Sequence, residues 1–403
     1  MTTIISDLNF MRLTNCSFLL LLLVAILSLP GSVEAKKKRQ MPNWSETFVP
    51  EEGGSSFERI TSDNDCVNPN LTGKRKERYY GDKSKADLTR MDWWINPQLA
   101  VSPDGSKIAY LNFKNNTSNI MVKDATQGGA SVQRTFRTGV TDFTWAPNGK
   151  DLCFTEMRGG HAGIYLVDAS QGNVVHQIST GTDNDLGGVM SKDCRTIYFH
   201  RGEGMNSYSI WSYNRDKNLF SNYSRGMTPV PDPKNPDVLY CSRFTDKKEC
   251  EIWRINTRTG TEEIILSQPG RCFSTPQVSP DGKWVLVTGS GISEKEGLVN
   301  TDLYVIGTDG TRFTQLTYHP GNDLSGVWSP DGRSIYFLSQ RGSANRNYNI
   351  WKMSFPLYTQ SYSSSSSNIS TSTGLNTNTE SARISTARTS SKKSNKTGSN
   401  SKR

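Results

Sequence analysis

The sequence is poor in the residues that build metal centres and nucleophilic sites. Its 403 residues include only four histidines, and their spacing fits no metal-ligand pattern. It has no C-x-x-C pair, no G-x-S-x-G nucleophile elbow, no Gly-rich phosphate loop and no EF-hand calcium loop. His161 and His200 fall in equivalent hairpins, but without a matching carboxylate or nucleophile pattern. We therefore expect no catalytic residues, no metal and no cofactor.

Long apolar runs are also lacking, apart from one near the N-terminus. Residues 17–29 are apolar but shorter than the ~20 residues of a membrane span. Arg12 precedes the run, and Val33 and Ala35 supply small residues at the −3 and −1 positions of a cleavage site. The pattern predicts a signal peptide over 1–35, and hence a periplasmic or secreted protein without a transmembrane span. Two alternatives remain. Because residues 36–39 are basic, the segment could be an uncleaved anchor, and it could also be a buried helix.

The folded part lacks an excess of positive charge. The chain carries a formal net charge of +9, but its two ends hold that charge: residues 36–39 are all basic, and the tail from Leu357 has one acid, Glu380, among its basic residues. Residues 40–356 are left with no net charge. The charge distribution therefore gives no reason to expect nucleic-acid binding.

Six cysteines follow the predicted signal peptide, and an even number in an exported chain permits disulfides. Cysteine spacing alone does not fix their pairing. Cys241 and Cys250 flank a predicted hairpin loop, which makes them the favoured pair.

What the sequence does contain is an internal repeat. A segment with the form of Ser-Pro-Asp-Gly recurs six times, at markers 41 to 50 residues apart: Ser102, Ala146, Ser191, Asp232, Ser279 and Ser329. A second motif, typified by Ile-Trp or Ile-Tyr, follows each marker.

The repeat has the chemistry of a strand–turn–strand unit. In Ser-Pro-Asp-Gly, proline presets φ, aspartate bonds its own backbone and glycine accepts a positive φ. The flanking apolar runs alternate with a period of two, which is typical of strands. Units of ~40–50 residues with about four strands predict propeller blades. The fold class is therefore all-β, a six-bladed β-propeller of four-stranded blades.

The copy from Gln315 to Met353, with its Leu-Thr strand end followed by WSPDG and Ile-Trp, resembles the repeat of the TolB-type propeller family. The resemblance covers residues 91–356. It implies a non-enzymatic, periplasmic, protein-binding propeller. The α/β domain that precedes the TolB propeller has no room here, so its role is not transferred. The same repeat also occurs in propellers attached to serine peptidases and in some polysaccharide lyases.

The last blade stops at its third strand, so its outer strand must come from elsewhere. Residues 57–61 resemble residues 313–317, and we predict that they close the ring; the segment ending at residues 87–89 is the alternative. The resulting organisation is a signal peptide (1–35), an N-terminal segment with the closing strand and an insertion (36–90), the propeller (91–356) and a disordered Ser/Thr/Asn-rich basic tail (357–403).

Propeller geometry brings charged residues to one face. Aspartates precede inner strands and arginines begin middle hairpins, which predicts a partner-binding face of Asp142, Asp185, Asp323, Arg158, Arg201, Arg243 and Arg341. The alternative is that Asp–Arg pairs lock neighbouring blades. The tryptophans Trp211, Trp253 and Trp351 recur on third strands and are expected between blades rather than in a sugar site.

The sequence thus favours an exported monomeric scaffold whose partners are proteins of the cell envelope. The alternatives are a lyase-like enzyme or glycan binder that uses the channel, and an envelope surface protein held by its basic ends.

Overall fold

The computed structural model describes residues 45–357, with gaps at 48, 54, 68–97, 116, 173, 180–182, 203–206, 247–248 and 293–298. The chain divides into two compact units, Met1–Pro42 and Asn43–Arg403, and all of the described residues belong to the second. That part of the chain is all-β, with one short 3-10 turn at Pro50–Glu52. None of its helices is long and apolar enough to cross a membrane.

Consecutive strands pair antiparallel in groups of four, as the repeat predicts. The first three groups are sheet I, β2 (Leu99–Val101), β3 (Lys107–Lys114), β4 (Thr117–Asp124) and β5 (Val132–Gln133); sheet II, β6 (Val140–Trp145), β7 (Asp151–Arg158), β8 (His161–Asp168) and β9 (Val174–Gln177); and sheet III, β10 (Asp185–Met190), β11 (Thr196–Arg201), β12 (Ser209–Asn214) and β13 (Leu219–Arg225).

The later groups repeat this order. They are sheet IV, β14 (Met227–Pro231), β15 (Val238–Phe244), β16 (Cys250–Asn256) and β17 (Glu262–Leu266); sheet V, β18 (Arg271–Val278), β19 (Trp284–Ile292), β20 (Val299–Gly307) and β21 (Thr314–Gln315); and sheet VI, β22 (Asp323–Trp328), β23 (Ser334–Ser339), β24 (Asn349–Ser354) and β1 (Phe57–Arg59).

The turn between the first and second strands of a sheet has the predicted chemistry. In sheet I the Ser102 hydroxyl donates to Asp104 and accepts from the Lys107 N–H, while Gly105 takes a φ of 74°. A cysteine, Cys194, stands at the glycine position of sheet III with a φ of 59°. That position therefore demands the left-handed conformation even from a residue with a Cβ.

The end of the fourth strand carries a recurring hydrogen bond that explains the Leu-Thr motif. A threonine or serine just after the fourth strand accepts, through its hydroxyl, a backbone N–H of the third strand, over 2.8 to 3.0 Å. This bond occurs in four sheets: Thr135 accepts from Ile120, Ser179 from Ile164, Thr317 from Leu303, and Thr61 from Ile350. Two residues earlier, a glutamine amide donates to the carbonyl of the same hydroxyl residue in sheets I, II and V.

The N-terminal strand β1 has this same signature. It pairs antiparallel with β24, with Phe57 opposite Met353. Arg59 takes the place of the glutamine and donates its Nε–H to the Thr61 carbonyl at 2.8 Å. Strand β1 (Phe57–Arg59) therefore supplies the fourth strand of sheet VI. The alternative segment at 87–89 lies outside the described residues.

Each sheet packs against the next through a shared apolar core. Separate clusters of buried side chains join sheets I and II, II and III, III and IV, IV and V, and V and VI. Another cluster contains residues of sheets VI and I, including Leu324, Tyr336 and Leu99, so the first and last sheets also meet. Trp351 is buried in one of these cores, and Trp211 and Trp253 pack against two others.

The predicted disulfide Cys241–Cys250 is wrong. Cys250 begins β16 beside Cys272 of β18, where a parallel pairing of the two strands connects sheets IV and V into one eight-stranded sheet. These two cysteines form a disulfide across that junction. Cys241 lies inside β15 opposite Trp253, where its thiol is free and buried, and burial raises its pKa to about 12.

Several sequence predictions fall outside the described residues. They are the signal peptide over 1–35, most of the insertion within 62–90, and the tail beyond Leu357.

Candidate functional site

The predicted charged residues lie at the edge where each fourth strand leads into the next first strand. We call this edge the loop face; it includes loops 134–139 and 316–322 and hairpin turns 158–161 and 340–348. Here Arg201 donates to both oxygens of Asp185, at 2.6 and 3.0 Å, and also contacts Asp183. Asp185 and Arg201 are register partners in sheet III. Such pairs therefore join strands of one sheet, not neighbouring sheets.

Arg341 is the centre of a fully buried ionic group. Its guanidinium donates to both oxygens of Glu52, at 2.8 and 2.9 Å, and to Asp323 at 2.7 Å. The side chains of all three residues are completely buried. Asp323 thus has no accessible oxygen at the loop face, and Glu52 ties the N-terminal 3-10 turn to sheet VI.

A third carboxylate, Asp302 on β20, completes this group, which we call the Arg341 cluster. Its partners are the Thr317 hydroxyl and the Asn300 amide, each at 3.3 Å. Burial raises the pKa of Asp302 well above its usual value, and the nearby Asp323 adds to the shift. Burial raises the pKa of Asp323 as well. One arginine cannot balance three carboxylates, so a retained proton on Asp302 relieves the excess charge.

Asp142 instead joins two sheets without an arginine. Its Oδ1 accepts from the Thr155 hydroxyl at 2.6 Å and from the backbone N–H of Gly187, in the first strand of sheet III, at 3.1 Å. Thr141 donates to its other oxygen. Burial raises the pKa of Asp142 to about 6 despite these hydrogen bonds. Asp142 therefore links neighbouring sheets through a backbone amide, and not through the Asp–Arg pair that the sequence suggested.

The remaining arginines differ in their surroundings. Arg243 bonds Glu262, the Ser224 hydroxyl and a backbone carbonyl, and stacks 4.2 Å from the centre of the Trp253 ring. Arg158 is the last residue of β7 and is exposed. Among the described residues, no carboxylate lies within 4 Å of it.

Two histidines are buried in structural positions. Nδ1 of His200 accepts the Thr228 N–H at 3.3 Å, and Nδ1 of His319 accepts the Gly321 N–H at 2.9 Å. Burial lowers the pKa of His200 to about 3 and that of His319 to about 4. In the described part of the chain, no group of three or more His, Cys, Asp and Glu side chains is arranged to hold a metal ion.

Sequence reasoning missed two exposed aromatic side chains on the loop face. Phe136 is 77% exposed and Tyr318 is 40% exposed. Each directly follows a buried threonine that accepts the third-strand N–H, Thr135 or Thr317. An aromatic residue after the Leu-Thr type of strand end was the signal that could have found them.

This chain belongs to the TolB β-propeller family. The family model for the TolB β-propeller domain matches residues 81–224 and 212–379, which together cover well over half of the sequence. The resemblance drawn from the repeat is therefore confirmed.

The curated relatives are distant and longer. The uncharacterized peptidase YuxL of Bacillus subtilis is 23% identical over 55% of this chain and 33% of its own length. The Tol-Pal system protein TolB of Helicobacter pylori is 26% identical over 36% of this chain and 34% of its own. The chain thus spans about a third of the length of these two relatives.

Among solved structures, a putative TolB from Agrobacterium tumefaciens is 15% identical, with a TM-score of 0.49. The match covers 64% of this chain and 90% of that one.

Proposed function

We propose that this protein is an exported, non-enzymatic six-bladed propeller that binds other proteins of the cell envelope as a rigid scaffold. In this proposal the six sheets are blades of one ring, β1 closes it, and a partner docks on the loop face. The similarity to a Tol-Pal system protein supports the envelope location.

The observation that carries the proposal is the exposure of Phe136 on a loop that is firmly held. The next residue, Arg137, accepts from and donates to the Asn119 side chain through its backbone, over 3.2 and 2.8 Å. On the other side, Thr135 is buried and bonded to Ile120 and Asn119. An aromatic side chain fixed in this way loses little entropy on binding, which suits an interface anchor.

Tyr318 strengthens the case because it occupies the equivalent position in sheet V. Its backbone N–H donates to Glu52 Oε1 at 3.0 Å, so the Arg341 cluster holds its loop. Two exposed aromatic residues at equivalent positions thus face the same side of the molecule, with sheet VI between them.

Photo-crosslinking in cells of the source organism tests the proposal. Phe136 is replaced by the photoreactive p-benzoylphenylalanine, with the same replacement at Leu219 as the control. Leu219 is 54% exposed on β13, away from the loop face. A defined protein adduct from position 136, but not from 219, is the expected result. Equal labelling from both positions, or none from 136, would contradict a docking site there.

A channel-site enzyme or glycan binder is the second candidate. Part of this chain is similar to the uncharacterized peptidase YuxL, which supports an enzymatic role. Calorimetric titration with divalent metals and a glycan screen separate the candidates. Saturable binding of a divalent metal or of a glycan would favour this second function.

A further inference from the structure

The loop between sheets I and II places Phe136 between two hairpins. The Gly139 carbonyl accepts the Met157 N–H at 2.8 Å, and a β-bridge joins Gly139 to Ser118. The turn after Lys114 therefore lies on one side of the loop and the turn after Arg158 on the other.

This edge carries positive charge that the described residues leave largely unpaired. Lys114 and Arg158 are exposed, and the described residues place no carboxylate within 4 Å of either. Arg137 reaches Glu156 at 3.6 Å, too far for a hydrogen bond. Glu156 is almost fully buried, so it presents little negative charge to an incoming partner.

We propose that this edge, the Phe136 patch of Lys114, Phe136, Arg137 and Arg158, binds an acidic segment of a partner protein that contributes an apolar side chain. The inference rests on the proposed protein-binding function and names the chemistry of its partner. The partner's carboxylates would pair with the cations, while its apolar side chain would cover the ring of Phe136. Such charge complementarity speeds encounter and selects the partner.

A fluorescent peptide in which aspartates flank leucine is the probe, and its binding to the full chain is followed by anisotropy. One matched peptide carries asparagine in place of aspartate, and another carries glycine in place of leucine. We expect weaker binding of both matched peptides, and weaker binding of the acidic peptide as salt increases, because salt screens exposed charges.

Variants locate the binding on the protein. Arg158→Glu should weaken binding of the acidic peptide roughly three- to tenfold, the scale of a reversed exposed charge. Phe136→Ala should weaken it about tenfold, as loss of an interface anchor does. Lys192→Glu and Leu219→Ala serve as matched controls, because Lys192 is exposed on the turn that joins β10 to β11 and Leu219 is exposed on β13. Both should bind like the wild type.

The outcomes separate this inference from the proposed function. Equal effects of Arg158→Glu and Lys192→Glu, or equal binding of the asparagine peptide, would overturn the acidic-partner inference. If photo-adducts at position 136 persisted in that case, the scaffold function would stand with a partner of another chemistry. Loss of both adducts and probe binding would remove both proposals.

Discussion

Replacing Arg341 with methionine should destabilise the protein more than any exposed charge does. The substitution leaves Glu52, Asp302 and Asp323 buried together without a cation. Removing one partner of a buried ion pair costs about 3–5 kcal/mol. For the roughly 260 residues that the structure describes, an unfolding entropy of about 2.1 cal/mol/K per residue converts this to a melting temperature lower by about 5–9 °C.

Denaturant unfolding and thermal melting by circular dichroism measure this cost. The matched control is Arg254→Met, since Arg254 pairs with Glu263 on the surface, where both side chains are more than a third exposed. The control should lose less than about 1 kcal/mol.

Two further measurements distinguish charge from lost packing. Adding Glu52→Gln and Asp323→Asn to Arg341→Met should recover a large part of the stability, because the buried charges are gone. Lowering the pH should also shrink the gap to the wild type, since protonated carboxylates need no cation. The electrostatic account would be refuted if Arg341→Met lost no more unfolding free energy than Arg254→Met. It would also be refuted if the added substitutions left the loss unchanged.

Other changes test separate contacts. The raised pKa of Asp142 means that the folded state favours the protonated acid, so the unfolding free energy of the wild type falls by up to about 3 kcal/mol as the pH rises from about 4 to 6. Asp142→Asn should remove this pH dependence. Denaturant titrations at successive pH values measure it. Replacing Cys250 and Cys272 with alanine should cost about 3 kcal/mol for a link across 22 residues, checked by melting the reduced wild type alongside. Thr317→Val should cost about 1–3 kcal/mol because it orphans the buried Leu303 N–H, whereas Thr314→Val, at a half-buried position, should be nearly neutral in the same unfolding assay.

The sequence allowed the repeated units and their turns to be predicted, because those features are local. Proline, aspartate and glycine close a turn with atoms a few residues apart, so Ser102 and Gly105 behave as expected. The Leu-Thr pattern also identified residues 57–61 as strand material, since Thr61 repeats the contact that Thr317 makes.

Contacts between distant segments could not be predicted in the same way. Cys250 pairs with Cys272 because the N-terminal ends of β16 and β18 lie side by side, and cysteine spacing does not encode which strands of neighbouring sheets meet. Glu52 escaped notice because it precedes the repeats, although it completes the partners of Arg341. Arginines begin several hairpins in the repeat, but only the packing shows which are buried and which, like Arg158, are exposed.

The pairing of β1 with β24 has a consequence for biosynthesis. Thr61 and the residue whose amide it binds, Ile350, are 289 positions apart. Ribosomes make β1 early, so it must wait without a partner until almost all of the remaining described chain has been synthesised. Contacts of such long sequence separation slow folding, and an unpaired strand edge invites aggregation in the meantime. A chain terminated before β24 would leave β1 without its partner strand, so sheet VI can form only after β24 has been synthesised.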